Sequence, residues 1–425
     1  MVQERIRSAC LRDREAGFQL NTQHGGRLFD PWAAIPRDEF LQRQARARRA
    51  AEEARLDGLV VYSRGVDGYG DVLYLMNHYS QWPFPAEHIG LGIGRTHSVS
   101  VIAVGGAAVL ISDVPWWRDD LVVADEVRVA EDVTTAVAKA LRDTGLQGKR
   151  VGLVGLQFMT AAAYLGLAAQ MPDVEFVRLD ALVERLRVHK TDAERRVVRA
   201  ALGVANEAMD SMLEGLVAGA TESEVVSIAV QHLEACGAVL LDAACSSGPS
   251  AHQYTWARLP SRDPMRELEH GDLFHMDYYG SYGGYYWDFA RTRVVGDDPD
   301  DQQAALIDTV TGAVEHVCSL VRPGVTAGEL YDSGARWLDE SAALRRLDAG
   351  GPLERMNYFG HGLGMGWEGP WLMSGDESIL EEGDVISIEY FMGRKDLGGA
   401  MLEQNGFVTA SGYEPLTTCP YIWHR

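Results

Sequence analysis

Two stretches decide the reading of this chain: His275-Met-Asp277-Tyr-Tyr-Gly280-Ser-Tyr-Gly283-Gly284-Tyr-Tyr-Trp-Asp288, and Ile388-Glu389-Tyr-Phe-Met-Gly393-Arg-Lys-Asp-Leu-Gly398-Gly399-Ala-Met-Leu-Glu403. Each is an apolar and aromatic run folded about a glycine-containing middle, the pattern of a β-hairpin. Each carries two acids at roughly equal distances from that middle. Symmetric closure predicts that Asp277 and Asp288 become cross-strand neighbours on one face, and Glu389 and Glu403 likewise. Four clustered carboxylates repel one another unless cations lie between them. With His361, in Gly360-His-Gly-Leu-Gly364, the set reads as a two-metal site. Glu389 carries most weight, because Val385-Ile-Ser-Ile-Glu-Tyr-Phe is apolar on both sides and an unpaired carboxylate there is costly.

Working outward, Gly219-Ala-Thr221-Glu-Ser-Glu224-Val and Gly324-Val-Thr326-Ala-Gly-Glu329-Leu share one pattern, each a capping box after a long amphipathic stretch. Their spacing suggests a duplicated helix–helix–hairpin unit. A pseudo-twofold axis would bring both acid pairs to one cleft. A third capping box, Thr191-Asp-Ala-Glu194, opens the helix where this second domain begins. Upstream, Gly58–Tyr62 and Lys149–Val154 read as buried strands, Val99–Ile111 as a hairpin turning at Gly105-Gly106, and Asp132–Asp143 as a helix. Alternation of strands and helices implies a three-layer α/β domain. The expected organisation is an arm over 1–37, an α/β domain over 38–188 and a catalytic domain over 189–425, an α+β chain overall.

The 425 residues exceed one ordinary core, and 46% hydrophobic with 24% charged content is that of a globular protein. A net charge of −22 argues against nucleic acid or an anionic membrane as main partner. Five scattered cysteines without metal-ligand spacing, an N-terminus with no apolar run behind its charges, and no spanning segment lead to the expectation of a cytoplasmic protein. Carboxylates with one imidazole suit Mn, Fe, Co or Zn. Two such ions about 3.5–4 Å apart would activate water and polarise a carbonyl together.

From Gly271-Asp-Leu-Phe-His-Met-Asp277, Gly284-Tyr-Tyr-Trp-Asp288-Phe-Ala-Arg-Thr, Gly360-His361-Gly-Leu-Gly, Leu380-Glu-Glu-Gly-Asp-Val-Ile-Ser-Ile-Glu389 and Glu403-Gln-Asn-Gly-Phe-Val-Thr, the chain resembles the pita-bread metallohydrolases: methionine aminopeptidase, aminopeptidase P, prolidase and creatinase. The segment before residue 189 is similar, more loosely, to the N-terminal domain of the two-domain creatinase branch. The resemblance implies that Asp277, Asp288, His361, Glu389 and Glu403 bind two divalent metals, that Glu389 also handles the proton of the attacking water, and that the chain forms a homodimer. It implies hydrolysis of an amide C–N bond in a small molecule or short, Xaa-Pro-like peptide.

Departures qualify the reaction. Where the peptidases carry a second histidine, seven residues after the first, this chain has Glu368, which accepts rather than donates unless protonated. Glu368 is then either the partner of a cationic substrate group or a surface acid. His252, in Ser246-Ser-Gly-Pro-Ser-Ala-His252, is the candidate for a further functional histidine, and His275 for a satisfied core histidine. The resemblance makes Trp82, in the aromatic loop Tyr79-Ser-Gln-Trp82-Pro-Phe84, a candidate substrate contact, or else part of an interdomain seam; Trp367, beside Glu368, is a further candidate. Two other readings stay open: a relative acting on a small zwitterionic osmolyte by elimination or hydrolysis, and a non-catalytic binding protein. Creatinase has lost its metals; the complete ligand set here disfavours a metal-free mechanism.

Overall fold

The computed structural model describes residues 30–65, 68–79, 97–255, 259–296 and 298–421. It divides into two compact units, one of residues 32–188 and one holding 30–31 with 189–421.

The first unit is built on a six-stranded mixed sheet. Its centre is β1 (Gly58–Arg64), antiparallel to β2 (His97–Ala103) and parallel to β5 (Arg150–Val154). β3 (Ala108–Ser112) closes the hairpin through Gly105-Gly106, and β4 (Glu126–Val129) and β6 (Glu175–Arg178) are the edges. Alternate residues of β1 serve opposite faces. Val60 and Tyr62 join a core with Val137, Leu141 and Leu167 from the helices Val133–Asp143 and Ala161–Gln170. The run Asp71–Met76 belongs to a short helix, Gly70–Met76, buried along its whole length.

In the second unit all three capping boxes form. Thr191, Thr221 and Thr326 each accept from the backbone N–H three residues on, while Glu194, Glu224 and Glu329 reach back to the cap. They open helices Asp192–Glu214, Glu222–Cys236 and Ala327–Glu340; Asp300 caps Asp301–Leu320 with its own box. Both members of the repeated motif also make an isolated strand bridge, Thr221 to Glu267 and Thr326 to Ile379, placing them equivalently in two halves. The first half supplies β7 (Val239–Ser247), β8 (Leu273–Tyr282) and β9 (Tyr285–Val294) as a three-stranded sheet. The second supplies β10 (Glu354–Arg355), β11 (Gly360–Leu363), β12 (Trp367–Trp371), β13 (Val385–Arg394), β14 (Gly398–Thr409) and β15 (Gly412–Pro415), in the order β12-β11-β13-β14-β15 with β10 also paired to β13.

The two sheets meet along β9 and β14 through side chains rather than through a backbone ladder. Thr292 Oγ1 donates to Met401 O at 2.9 Å and accepts from Met401 N at 2.8 Å. The Asn405 side chain accepts from Asp288 N at 3.0 Å and donates to Asp288 O. Arg291, fully buried, spends its donors on the carbonyls of Ala290, Glu403 and Cys419 and on the Gln404 side chain. These bonds satisfy backbone groups that would otherwise be buried and orphaned, and they hold the two acid-bearing hairpins together.

Candidate functional site

The hairpin turns set the acids' positions. In β13–β14 the last pair is Arg394–Gly398, so the loop centre, residue 396, lies midway between Glu389 and Glu403, and these two pair directly. In β8–β9 the last pair is Tyr282–Tyr285, closed by Gly283-Gly284 with φ of 59° and 84°. Two successive positive φ values make the primed two-residue turn that glycine admits at no steric cost. That centre is one residue past the midpoint of Asp277 and Asp288. Asp277 therefore pairs with Ala290 and Asp288 with Tyr279, and the two acids are diagonal rather than opposed. The expected direct pairing is corrected on this point; the shared face is retained, because a shift of two preserves strand parity.

The seam between β9 and β14 brings the pairs together, and β11, antiparallel to β13, adds His361 opposite Ser387. Asp277, Asp288, His361, Glu389 and Glu403 are all 4% exposed or less. His361 Nε2 lies 3.6 Å from Asp288 Oδ2 and 3.5 Å from Glu389 Oε1. Its Nδ1 is 3.0 Å from the Gly362 carbonyl, which fixes the proton there and leaves Nε2 free as a ligand. Burial lowers the His361 pKa to about 4, so the ring is neutral. Burial raises the pKa of all four carboxyls, with mutual repulsion adding to it for Asp288, Glu389 and Glu403.

Two sets of atoms have metal-ligating proximity: Asp288, His361 and Glu403, and Asp277, Glu389 and Glu403, with candidate ligand atoms within 4.8 Å of one another in each. Glu403 belongs to both. Among the described residues no lysine or arginine ion-pairs with any of the four acids. Instead each receives one neutral donor. Tyr254 Oη donates to Asp277 Oδ2, Trp367 Nε1 to Asp288 Oδ2, Ser387 Oγ to Glu403 Oε1, and the Tyr358 hydroxyl to Glu389. The remaining oxygens Asp277 Oδ1, Asp288 Oδ1 and Glu403 Oε2 are buried without a hydrogen-bond donor. Carboxylates steadied by neutral donors, each keeping a bare oxygen, fit divalent cations and little else.

A cavity of about 430 Å³ opens onto this cluster, lined by Asp277, Asp288, His361 and Glu389 and walled by Tyr254, Tyr279, Tyr358, Trp367 and Trp371, with Asp242, Ala244, Thr255 and Ser261 on the β7 side. The Trp367 ring packs edge-on against Tyr279 at 4.9 Å, and Trp371 lies against His361 at 5.3 Å.

Two sequence expectations change, those for Glu368 and His252. Glu368 is neither a surface acid nor a group facing substrate: it is 1% exposed, outside the cavity lining, and ion-paired with buried Lys190. Gly364 makes room for it, since a Cβ there would lie 2.3 Å from Glu368 Oε1. His252 also lies off the cavity, its Nδ1 3.1 Å from Pro249 O in the turn after β7. Trp82 lies outside the described residues. His275 is a buried core histidine, with Nε2 at 2.9 and 3.0 Å from the carbonyls of Ala251 and Gln253 and Nδ1 buried without a hydrogen-bond partner. Sequence reasoning missed Tyr254, Tyr358, Ser387 and Tyr279. Only Tyr279 carried a readable signal, sharing its strand face with Asp277 by parity.

Residues 196–410 match the model of metallopeptidase family M24, and residues 43–189 that of the creatinase/prolidase N-terminal domain. The chain belongs to metallopeptidase family M24. It has the two-domain pita-bread architecture of that family and is a metal-dependent hydrolase. It is 30% identical over 248 residues to the Xaa-Pro dipeptidase of Pyrococcus furiosus, covering 57% of this chain and 67% of that one. It is 28% identical over 414 residues to "Probable dipeptidase PepE" of Mycobacterium tuberculosis, covering 93% and 98%. Among solved structures, the Xaa-Pro dipeptidase from Bacillus anthracis superposes with a TM-score of 0.73 at 24% identity over 90% of this chain and 99% of that one. Dipeptidase PepE from Mycobacterium ulcerans gives 0.69 at 24% over 92% and 98%. At these identities the structures speak for the fold. No helix among the described residues is long and apolar enough to cross a membrane.

Proposed function

We propose that this chain is a dinuclear metallodipeptidase cleaving the C–N amide bond of short, Xaa-Pro-like peptides. Asp277, Asp288, His361, Glu389 and Glu403 would hold two divalent ions of the Mn, Fe, Co or Zn class within a catalytic domain of residues 189–425. The observation that carries this is the pair of ligand sets sharing Glu403. The likeness to an Xaa-Pro dipeptidase over 57% of the chain and to a probable dipeptidase over 93% of it supports the substrate class.

Two such ions supply Lewis acidity that activates a water and polarises the scissile carbonyl. The protein's own part is positional and protolytic. Glu389, steadied by Tyr358, faces the cavity and takes the proton of the attacking water, then delivers it to the departing nitrogen. Tyr279, Trp367 and Trp371 wall the substrate and keep bulk water away. The same reading assigns residues 38–188 as the creatinase-type domain after an arm over 1–37. It includes a homodimer by family resemblance and a cytoplasmic location, with which the four free cysteines among the described residues agree.

The test is elemental mass spectrometry on protein purified without chelator or affinity metal, paired with hydrolysis of Xaa-Pro dipeptides. Two equivalents of metal and chelator-sensitive release of proline are expected. A chain that binds no added metal, or binds two and releases an alkene product from osmolytes instead of cleaving dipeptides, refutes the proposal.

A further inference from the structure

The cavity contains a fifth carboxylate that belongs to neither ligand set. Asp242 sits on β7 opposite Tyr279, two residues from Ala244, which faces Asp277. It is thus one diagonal step along the sheet from Asp277, about 7 Å away by strand geometry. The small Ala244 side chain leaves the path between them open.

Asp242 is 6% exposed and its two oxygens are used unequally. Oδ1 accepts from Arg262 Nη1 at 2.8 Å. Oδ2 has one long contact, from Ser261 N at 3.4 Å. Arg262 itself does not line the cavity. One oxygen is therefore held by Arg262, the other keeps most of its accepting capacity, and the residue itself lines the cavity. A buried carboxylate oxygen normally finds a donor. Two divalent ions already match the four acids of the ligand sets, so the spare oxygen of Asp242 is left for substrate. Its surroundings suit a cation: Tyr279 and the Trp367 indole present aromatic surface beside it.

We propose that Asp242 anchors the protonated amine of the substrate, placing the free N-terminus of a short peptide one diagonal step from the metal-facing acids. This rests on the hydrolase reading for its substrate and extends it by naming the specificity-determining residue. The competing role is purely structural, an Asp242–Arg262 pair that fixes the 259–263 loop.

The experiment separates these roles and keeps the inference apart from the hydrolase reading. A non-cleavable hydroxyethylene analogue of Ala-Pro with a free amine, and its N-acetyl form, are titrated calorimetrically into the metal-loaded protein. Acetylation is expected to weaken binding to the parent by about tenfold or more. Asp242→Asn should erase that difference with metal content retained, and Arg262→Gln, which frees the anchor's charge, should tighten binding of the amine form. Equal binding of the two analogues to the parent, or an undiminished difference in Asp242→Asn, overturns the proposal. If Asp242→Asn fails to fold, the double variant Asp242→Asn/Arg262→Gln removes the pair together and is read the same way. Turnover of Ala-Pro is scored separately: an Asp242-dependent amine preference without turnover keeps the anchor and refutes the peptidase.

Discussion

Lys190 and Glu368, 178 residues apart in the chain, form an ion pair in which both side chains are shut away from water. The pair ties the segment entering helix Asp192–Glu214 to β12, the strand that also carries Trp367 and Trp371. Removing one member leaves an uncompensated buried charge, which costs about 3–5 kcal/mol, whereas replacing both with apolar groups is often nearly neutral. Lys190→Met should accordingly destabilise the protein by about 3 kcal/mol or more, and Lys190→Met/Glu368→Leu by much less. Urea denaturation of the parent, both single variants and the double variant measures the coupling directly; additive losses would contradict it.

Asp288→Asn should act in opposite directions on the two forms of the protein. With metal bound, if Asp288 is a ligand as proposed, the substitution should lower occupancy below two and turnover by about 10³-fold or more. Without metal it removes one charge from a buried, self-repelling cluster whose carboxyls are all pushed up by burial. The metal-free variant should then melt above the metal-free parent, by about 2–4 °C per kcal/mol relieved. Differential scanning calorimetry with and without chelator reads both effects.

The phenol of Tyr254 donates to Asp277 Oδ2, and its ring lies tilted against Phe391 at 5.7 Å. Tyr254→Phe keeps the ring and removes only the donor. Partners of this kind are worth about 10–100-fold in metal affinity. Competition against a fluorescent chelator should show a loss in that range at one of the two sites; unchanged affinity at both would assign Tyr254 to packing alone.

His78 and His275 are each held near pKa 4 by burial, against about 6.5 in an unfolded chain. Between these values the unfolded state binds more protons than the folded one. Stability therefore falls as pH drops from 6.5 towards 4, by at most about 1.4 kcal/mol per pH unit for each histidine. For the metal-free protein the raised carboxyls oppose this trend, because the folded state binds their protons more readily. The metal-loaded protein should thus lose stability more steeply below pH 6.5 than the metal-free one, until its metals leave. His78→Gln should flatten the acid limb in both forms.

How much of this was legible in the sequence depended on whether a residue's partner was local. The Glu389/Glu403 pairing could be read from symmetry about residue 396, since a hairpin's register follows from its turn. The same rule misplaced the aspartates by one diagonal, because the glycines turn the chain one residue late. The capping boxes were readable because they are contained within four residues. Glu368 was not: its partner arrives from the far end of the domain, and nothing near it in sequence reports a buried cation. Tyr254 and Ser387 were equally silent. A tyrosine in a turn and a serine in a strand acquire meaning only when two hairpins dock.

That docking has a consequence of its own. The seam between β9 and β14 is stitched by Thr292 and Asn405, neither of which faces the carboxylate oxygens left bare. A hydroxyl and an amide thereby set the gauge between two halves of the centre. In the proposed two-metal centre, the spacing of the ligand sets, and with it the preference for one element over another, would be adjustable by evolution or by an engineer at positions outside both sets.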